Sequence, residues 1–134
     1  MINPTAQYHA HVYFDQTSAA EAKALHDQFS QTLADDAMPN LVMVGKLFRQ
    51  PVGPHPKPQF EMHFLASALP YMVPLLTASG LTCLLHPLTD CDLADHTTLA
   101  EWIGEPLPLD QTVPDPPGHN QGVPRFGKSH FQVC

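Results

Sequence analysis

The chain opens on an alternation of apolar and polar positions. Over residues 8–14, Tyr8, Ala10, Val12 and Phe14 fall on one side and His9, His11 and Tyr13 on the other. That period of two predicts a half-buried strand. Ser18 and Glu21 then have the spacing of a capping box, and Ala22, Leu25, Phe29 and Leu33 recur at helical intervals. A helix is therefore predicted, ending before Pro39. Residues 41–48, with Val42 and Val44, read as a second strand. Residues 60–65 read as a third, with Phe60, Met62 and Phe64 set against Glu61, His63 and Leu65. Residues 67–79, closed by Gly80, predict a second helix that must accommodate Pro74. Residues 81–86 predict a fourth strand. Residues 92–103 suit a short third helix, with Asp92 or Asp95 as cap and Gly104 just past its end.

The resulting order, β-α-β-β-α-β plus an added helix, is an α+β arrangement. It is that of the ferredoxin-like split βαβ, an antiparallel sheet with both helices on one face. From residue 105 onward six prolines appear and periodicity is lost. A folded domain over residues 1–110 followed by an irregular tail over 111–134 is the expected division, the tail wrapped on the surface, on a partner subunit, or disordered.

In this fold the alternation becomes a site. If the helices cover Val12, Phe14, Met62 and Phe64, the opposite face carries His9, His11, Tyr13, Glu61 and His63. Turning Leu81, Cys83 and Leu85 toward the helices sends Thr82, Leu84 and His86 to that same open face. The first and third strands are central neighbours and the fourth pairs with the first, so the histidines gather. His9 and His11, two apart on one strand, have Cα atoms about 6.5–7 Å apart. Both imidazoles can reach one metal at bonds of about 2.0–2.1 Å, and His86 can join them from the next strand. A wet sheet face with half-exposed polar side chains is the simpler explanation of the same pattern. Glu61 offers a second possibility, a two-histidine, one-carboxylate iron site. His55, in the stiff Gly53-Pro54-His55-Pro56 segment, is either aimed at a fixed point or simply exposed on a proline-rich turn. His96 serves as a cap-region residue or a site wall. His26 sits beside the apolar stripe of the first helix and is expected to be structural. His119 and His130 carry no motif.

Composition narrows the class. At 134 residues the chain has room for one domain. With 43% hydrophobic and 14% charged residues, most of it should fold. Six basic against thirteen acidic residues give a net charge of −7, which argues against nucleic acid or an anionic membrane as partner. The nine histidines are counted as neutral there, so local charge stays open. Cys83, Cys91 and Cys134 are odd in number and lack CxxC spacing. They form neither a disulfide framework nor a zinc ribbon, which fits a reducing compartment. No basic segment followed by an apolar stretch marks a signal peptide. The longest apolar run, residues 69–76, is interrupted by Pro70 and Pro74 and is too short to span a bilayer. A soluble cytoplasmic protein is expected.

Four segments together carry a resemblance. They are Tyr8-His9-Ala10-His11-Val12-Tyr13-Phe14-Asp15, Pro51-Val52-Gly53-Pro54-His55-Pro56, His86-Pro87-Leu88-Thr89-Asp90 with Asp95-His96, and Trp102-Ile103-Gly104-Glu105-Pro106. In this order they resemble the DOPA 4,5-dioxygenase family over about residues 8–110. The resemblance implies a ferredoxin-like domain that pairs into a homodimer. It also implies extradiol cleavage of a catechol, L-DOPA being the reference substrate, with O2 and non-haem Fe(II); by affinity order alone, such a histidine face would take Zn(II) in purified protein whatever its native metal. Under that implication His9, His11 and His86 are the expected ligands. His55, then His96, is expected to take and return the catechol proton. The permutation with His55 as ligand and His9 behind it stays open. Arg49, Lys46 and Arg125 are candidates for a substrate carboxylate, Arg49 being best placed, and Tyr13 and Trp102 for packing on the aromatic ring. A related reaction on another aromatic or dicarbonyl substrate, or a non-enzymatic metal or small-ligand binder using the same histidine face, is the alternative.

Overall fold

The computed structural model describes residues 3–89 and 91–114. Strand β1 (Gln7–Tyr13) leads to helix α1 (Ala19–Ala34), then β2 (Leu41–Val44) and β3 (Gln59–Leu65). A single 3-10 turn (Ala66–Ala68) feeds α2 (Leu69–Ala78), followed by β4 (Cys83–Pro87), the one-turn α3 (Asp92–Asp95) and β5 (Glu101–Ile103). The strands form one sheet in the order β2-β3-β1-β4-β5, every neighbouring pair antiparallel. Its first four strands have the ferredoxin-like order, with β5 added at the edge beyond β4.

The alternation sorts the two faces as the sequence predicts. Ala10, Val12, Phe60, Met62, Phe64, Cys83 and Leu85 join Ala22, Leu25 and Phe29 of α1 and Met72 and Leu76 of α2 in one buried cluster. Removing each of the larger of these from water is worth roughly 1.5–3 kcal/mol. The interleaved residues therefore face the other way as a consequence of core formation. Register then aligns them: His9 lies opposite His63 on β3 and His86 on β4, while His11 lies opposite Glu61 and Leu84.

Three expectations are corrected. Residues 92–103 do not form one helix. Only Asp92–Asp95 is helical, and Glu101–Ile103 pairs with β4. The open edge of β4 supplies hydrogen bonds that outweigh a weak helical spacing containing the β-branched Thr97 and Thr98. Gly104 follows β5, at φ +83°, where a Cβ would lie 3.3 Å from Thr82 Oγ1. The capping box of α1 is not made either, because Ser18 forms no side-chain cap hydrogen bond. The Asp15 carboxylate instead accepts from the backbone N–H groups of Thr17 and Ser18 and organises the turn. The second strand is shorter than residues 41–48, being irregular after Leu41 and resuming only as a bridge between Phe48 and Gln59. Pro74 does lie inside α2. No helix among the described residues is long and apolar enough to cross a membrane. The tail expected to be irregular lies outside the described residues from 115 onward, as do Asp90, His119, Arg125, His130 and Cys134.

Candidate functional site

Six histidines converge on the sheet face away from the helices. His9 and His11 come from β1, His63 from β3 and His86 from β4, each placed by strand alternation. His55 is supplied by the loop before β3 and His96 by the end of α3. One nitrogen from each of His9, His11 and His86 lies within 4.8 Å of the others, and the same holds for His11, His55 and His96. Each triad brings three nitrogens close enough for one metal ion, and the two share His11.

The outer hydrogen bonds decide which lone pairs face inward. His11 Nδ1–H donates to Gln59 Oε1 at 3.1 Å, and His86 Nδ1–H donates to the Pro87 carbonyl at 2.8 Å. Each ring therefore turns a bare Nε2 inward, and these two atoms are 2.9 Å apart. Burial, reinforced by the neighbouring imidazoles, holds both rings well below the usual imidazole range. Two desolvated lone pairs at that separation repel unless a cation lies against both. The donor set thus fits a metal ion, and the partners on Nδ1 are those that orient histidine ligands.

His9 completes the first triad from a bridging position. Its Nδ1–H donates to Glu61 Oε1 at 2.8 Å, and its Nε2 is 3.2 Å from His63 Nδ1. The same Glu61 oxygen is 3.8 Å from His11 Nε2. Although burial opposes it, the hydrogen bond from His9 and the surrounding histidines hold the Glu61 carboxyl below its ordinary range. His63 Nε2–H donates onward to the Gln7 side-chain carbonyl. Burial, then His9, lowers His63 to about 4.

His55 is buried, held by its loop and by Tyr13. Its backbone N–H bonds to the Val52 carbonyl at 3.1 Å, and the Asp110 N–H secures the adjacent Pro54 carbonyl at 2.9 Å. Burial, then His96, lowers His55 to about 4. His96 donates Nδ1–H to the Asp92 carbonyl at 2.8 Å. Its ring lies 4.3 Å from that of His86, centroid to centroid. It is also one wall of a cavity of about 410 Å³ lined by Thr97, Thr98, Trp102, Leu107, Leu109 and Gln111. That volume suits a small molecule, and His96 belongs to both the cavity wall and the histidine cluster.

The other sequence candidates are placed as follows. Tyr13 is buried, its ring stacked on Trp102 at 5.9 Å and its hydroxyl 2.7 Å from His55 Nδ1. Arg49 is exposed just beyond the Phe48 bridge and does not line the cavity. Lys46 lies over the Phe48 ring. His26 donates to the Gly45 carbonyl and packs edge-on against Phe60, a structural role. Cys83 is a free buried thiol, which burial pushes up to about 12.

The sequence does not single out Gln59, and it marks Asp95 only as one of two cap candidates and as part of the Asp95-His96 segment. Gln59 shares the face of Glu61 and His63 once the alternation is extended one step back. Neither Asp92 nor Asp95 is the cap, which is Cys91, and Asp95 is fully buried. Its carboxylate accepts from Thr89 Oγ1 at 2.6 Å and Thr89 N at 3.0 Å, tying the His86 strand to the turn that carries His96. A carboxylate beside His96 in the same short segment was the available signal.

Known proteins share this sequence and fold. The Dopa 4,5-dioxygenase family model matches residues 8–113. A DOPA 4,5-dioxygenase of Amanita muscaria is 34% identical over 113 residues, covering 77% of this chain and 47% of the fungal one. An uncharacterised 21.2 kDa protein of Botryotinia fuckeliana is 28% identical over 118 residues, covering 79% of this chain and 62% of its own. The chain thus spans about half of the first relative and under two-thirds of the second. The crystal structure of a candidate dioxygenase from Nostoc punctiforme superposes with a TM-score of 0.71 at 32% identity, covering 82% of this chain and 91% of that one. The family match across most of the sheet and its histidine-bearing segments, together with the fungal identity, establishes that this chain belongs to the Dopa 4,5-dioxygenase family.

Proposed function

We propose that the protein is a metal-dependent extradiol dioxygenase that opens a catechol ring with O2, L-DOPA being the reference substrate. The observation that carries this reading is the pair of inward, bare Nε2 atoms of His11 and His86, 2.9 Å apart with both outer protons committed. His9, His11 and His86 hold the metal, and Glu61 orients His9. Fe(II) is the metal of this reaction; the same nitrogens take Zn(II) more tightly, so the ion found in purified protein does not decide the chemistry. Bound there, the metal supplies Lewis acidity toward the catechol oxygens and a single point where both reactants meet.

The chain's own residues do the rest. His55 and His96 stand next to the ligand rings and manage the catechol protons, both within reach of a substrate seated against His11 and His86. Trp102, Leu107 and Leu109 offer the ring substituent an apolar wall, and Thr97, Thr98 and Gln111 offer it hydrogen bonds. Burial of the cluster keeps competing water away from the reacting oxygens.

A panel of substituted catechols, assayed for Fe(II)-dependent O2 uptake, tests the reading. His11→Ala should lose stoichiometric metal, whereas His55→Ala should keep the metal and lose turnover. Full metal stoichiometry in His11→Ala would remove the ligand assignment. Metal bound by the wild type without uptake for any catechol would leave a metal-binding protein with no dioxygenase activity.

A further inference from the structure

We propose that Tyr13 is a positioning residue that fixes His55 with its ring proton on Nε2, so that His55 donates a hydrogen bond to the substrate and does not ligate the metal. The tautomer follows from hydrogen-bond accounting. Tyr13 is 2% exposed, and among the described residues the partner of its hydroxyl is His55 Nδ1, at 2.7 Å. A buried hydroxyl must place its proton on an acceptor. If His55 donated to the phenol oxygen, the phenolic proton would have nowhere to go. Tyr13 therefore donates and His55 Nδ1 accepts. A neutral imidazole carries one ring proton, and here it is left on Nε2.

His96 is set the other way. It gives its Nδ1 proton to the Asp92 carbonyl and keeps a bare Nε2. The two rings, 6.1 Å apart between centroids, thus present one donor and one acceptor. A catechol that retains one hydroxyl complements both, since its oxygen pair can accept from one ring and donate to the other. The same accounting separates the two triads. Coordination by His11, His55 and His96 needs a lone pair where His55 carries a proton; coordination by His9, His11 and His86 does not. The identity of the hydrogen-bond acceptor rests on the catechol reading above, whereas the tautomer does not.

Histidine-labelled, Zn(II)-loaded full-length protein, observed by long-range proton–nitrogen NMR at neutral pH, reads the tautomer directly. The His55 signals are assigned by their loss in His55→Gln. The wild type should show His55 as the Nε2–H form, and Tyr13→Phe, which keeps the ring against Trp102, should lose that preference. An Nδ1–H form or a metal-shifted nitrogen on His55 in the wild type overturns the proposal, as does an unchanged tautomer in Tyr13→Phe. In the Fe(II)-loaded enzyme, Tyr13→Phe should lower kcat about tenfold with KM nearly unchanged. A wild-type kcat in Tyr13→Phe overturns the proposal. Absence of O2 uptake by the wild type with every catechol would fell the dioxygenase reading, and the NMR result would still decide the tautomer.

Discussion

Histidine chemistry here is set less by the rings than by what holds their outer nitrogens. His11 and His86 each give Nδ1–H to an oxygen and become inward acceptors, while His55 meets a hydroxyl and becomes an inward donor. Sequence shows that histidines share a face, because alternation is local. It does not show tautomers, because Gln59, Pro87 and Tyr13 acquire those roles only through register and loop path. Glu61 is the residue-scale test of this outer layer. Removing its carboxylate should leave His9 free to rotate. Glu61→Ala is expected to weaken Zn(II) affinity about 10- to 100-fold, as measured by competition with a chromogenic chelator. Glu61→Gln should fall between Glu61→Ala and the wild type, because the amide oxygen still accepts from His9. Equal affinities across all three proteins would contradict the role.

At the level of elements, the strands that build the site were the legible part. β1 and β3 declare themselves by strict alternation, and burying Val12, Met62 and Phe64 forces His9, His11 and His63 outward. The helix expected over 92–103 gives way to β5 because the apolar spacing around Trp102 and Ile103 serves an edge strand as well as a helix. The open edge of β4, a tertiary feature, decides between them. Similar logic applies to β2. Gly45 donates its N–H to the Glu61 carbonyl at 2.7 Å, and a Cβ there would sit 3.0 Å from that oxygen. Gly45→Ala should therefore push β2 away from β3 at the position carrying Glu61. A loss of about 1–3 kcal/mol in denaturant unfolding is expected, together with weaker metal binding. Loss of stability without any change in metal affinity would show that β2 does not help to position Glu61.

For the whole molecule, folding compresses a cluster of imidazoles that solvent would otherwise keep apart and protonated at mildly acidic pH. His55 and His63 are both lowered to about 4, mainly by burial. Their ordinary unfolded value is about 6.5. Between those values the unfolded chain binds more protons than the folded one, so the stability of metal-free protein should fall as pH drops from about 6.5 toward 4. Above 6.5 these two groups are neutral in both states and add no slope. Thermal melts of chelator-treated protein across that range check the sign; a flat or rising Tm on acidification would contradict it. A metal held, as proposed, by His9, His11 and His86 would tie β1 to β4, so Zn(II) should raise Tm at neutral pH and lose that effect as the ligands protonate.

The central claim is that this face binds iron in order to cleave a catechol. Oxygen consumption by anaerobically Fe(II)-loaded protein on addition of L-DOPA, followed together with the yellow ring-opened product, tests it most directly. Uptake should be matched one-to-one by product and lost in His11→Ala. Iron bound at full stoichiometry with neither uptake nor product would contradict L-DOPA as substrate; the same result across the catechol panel would contradict the dioxygenase assignment itself.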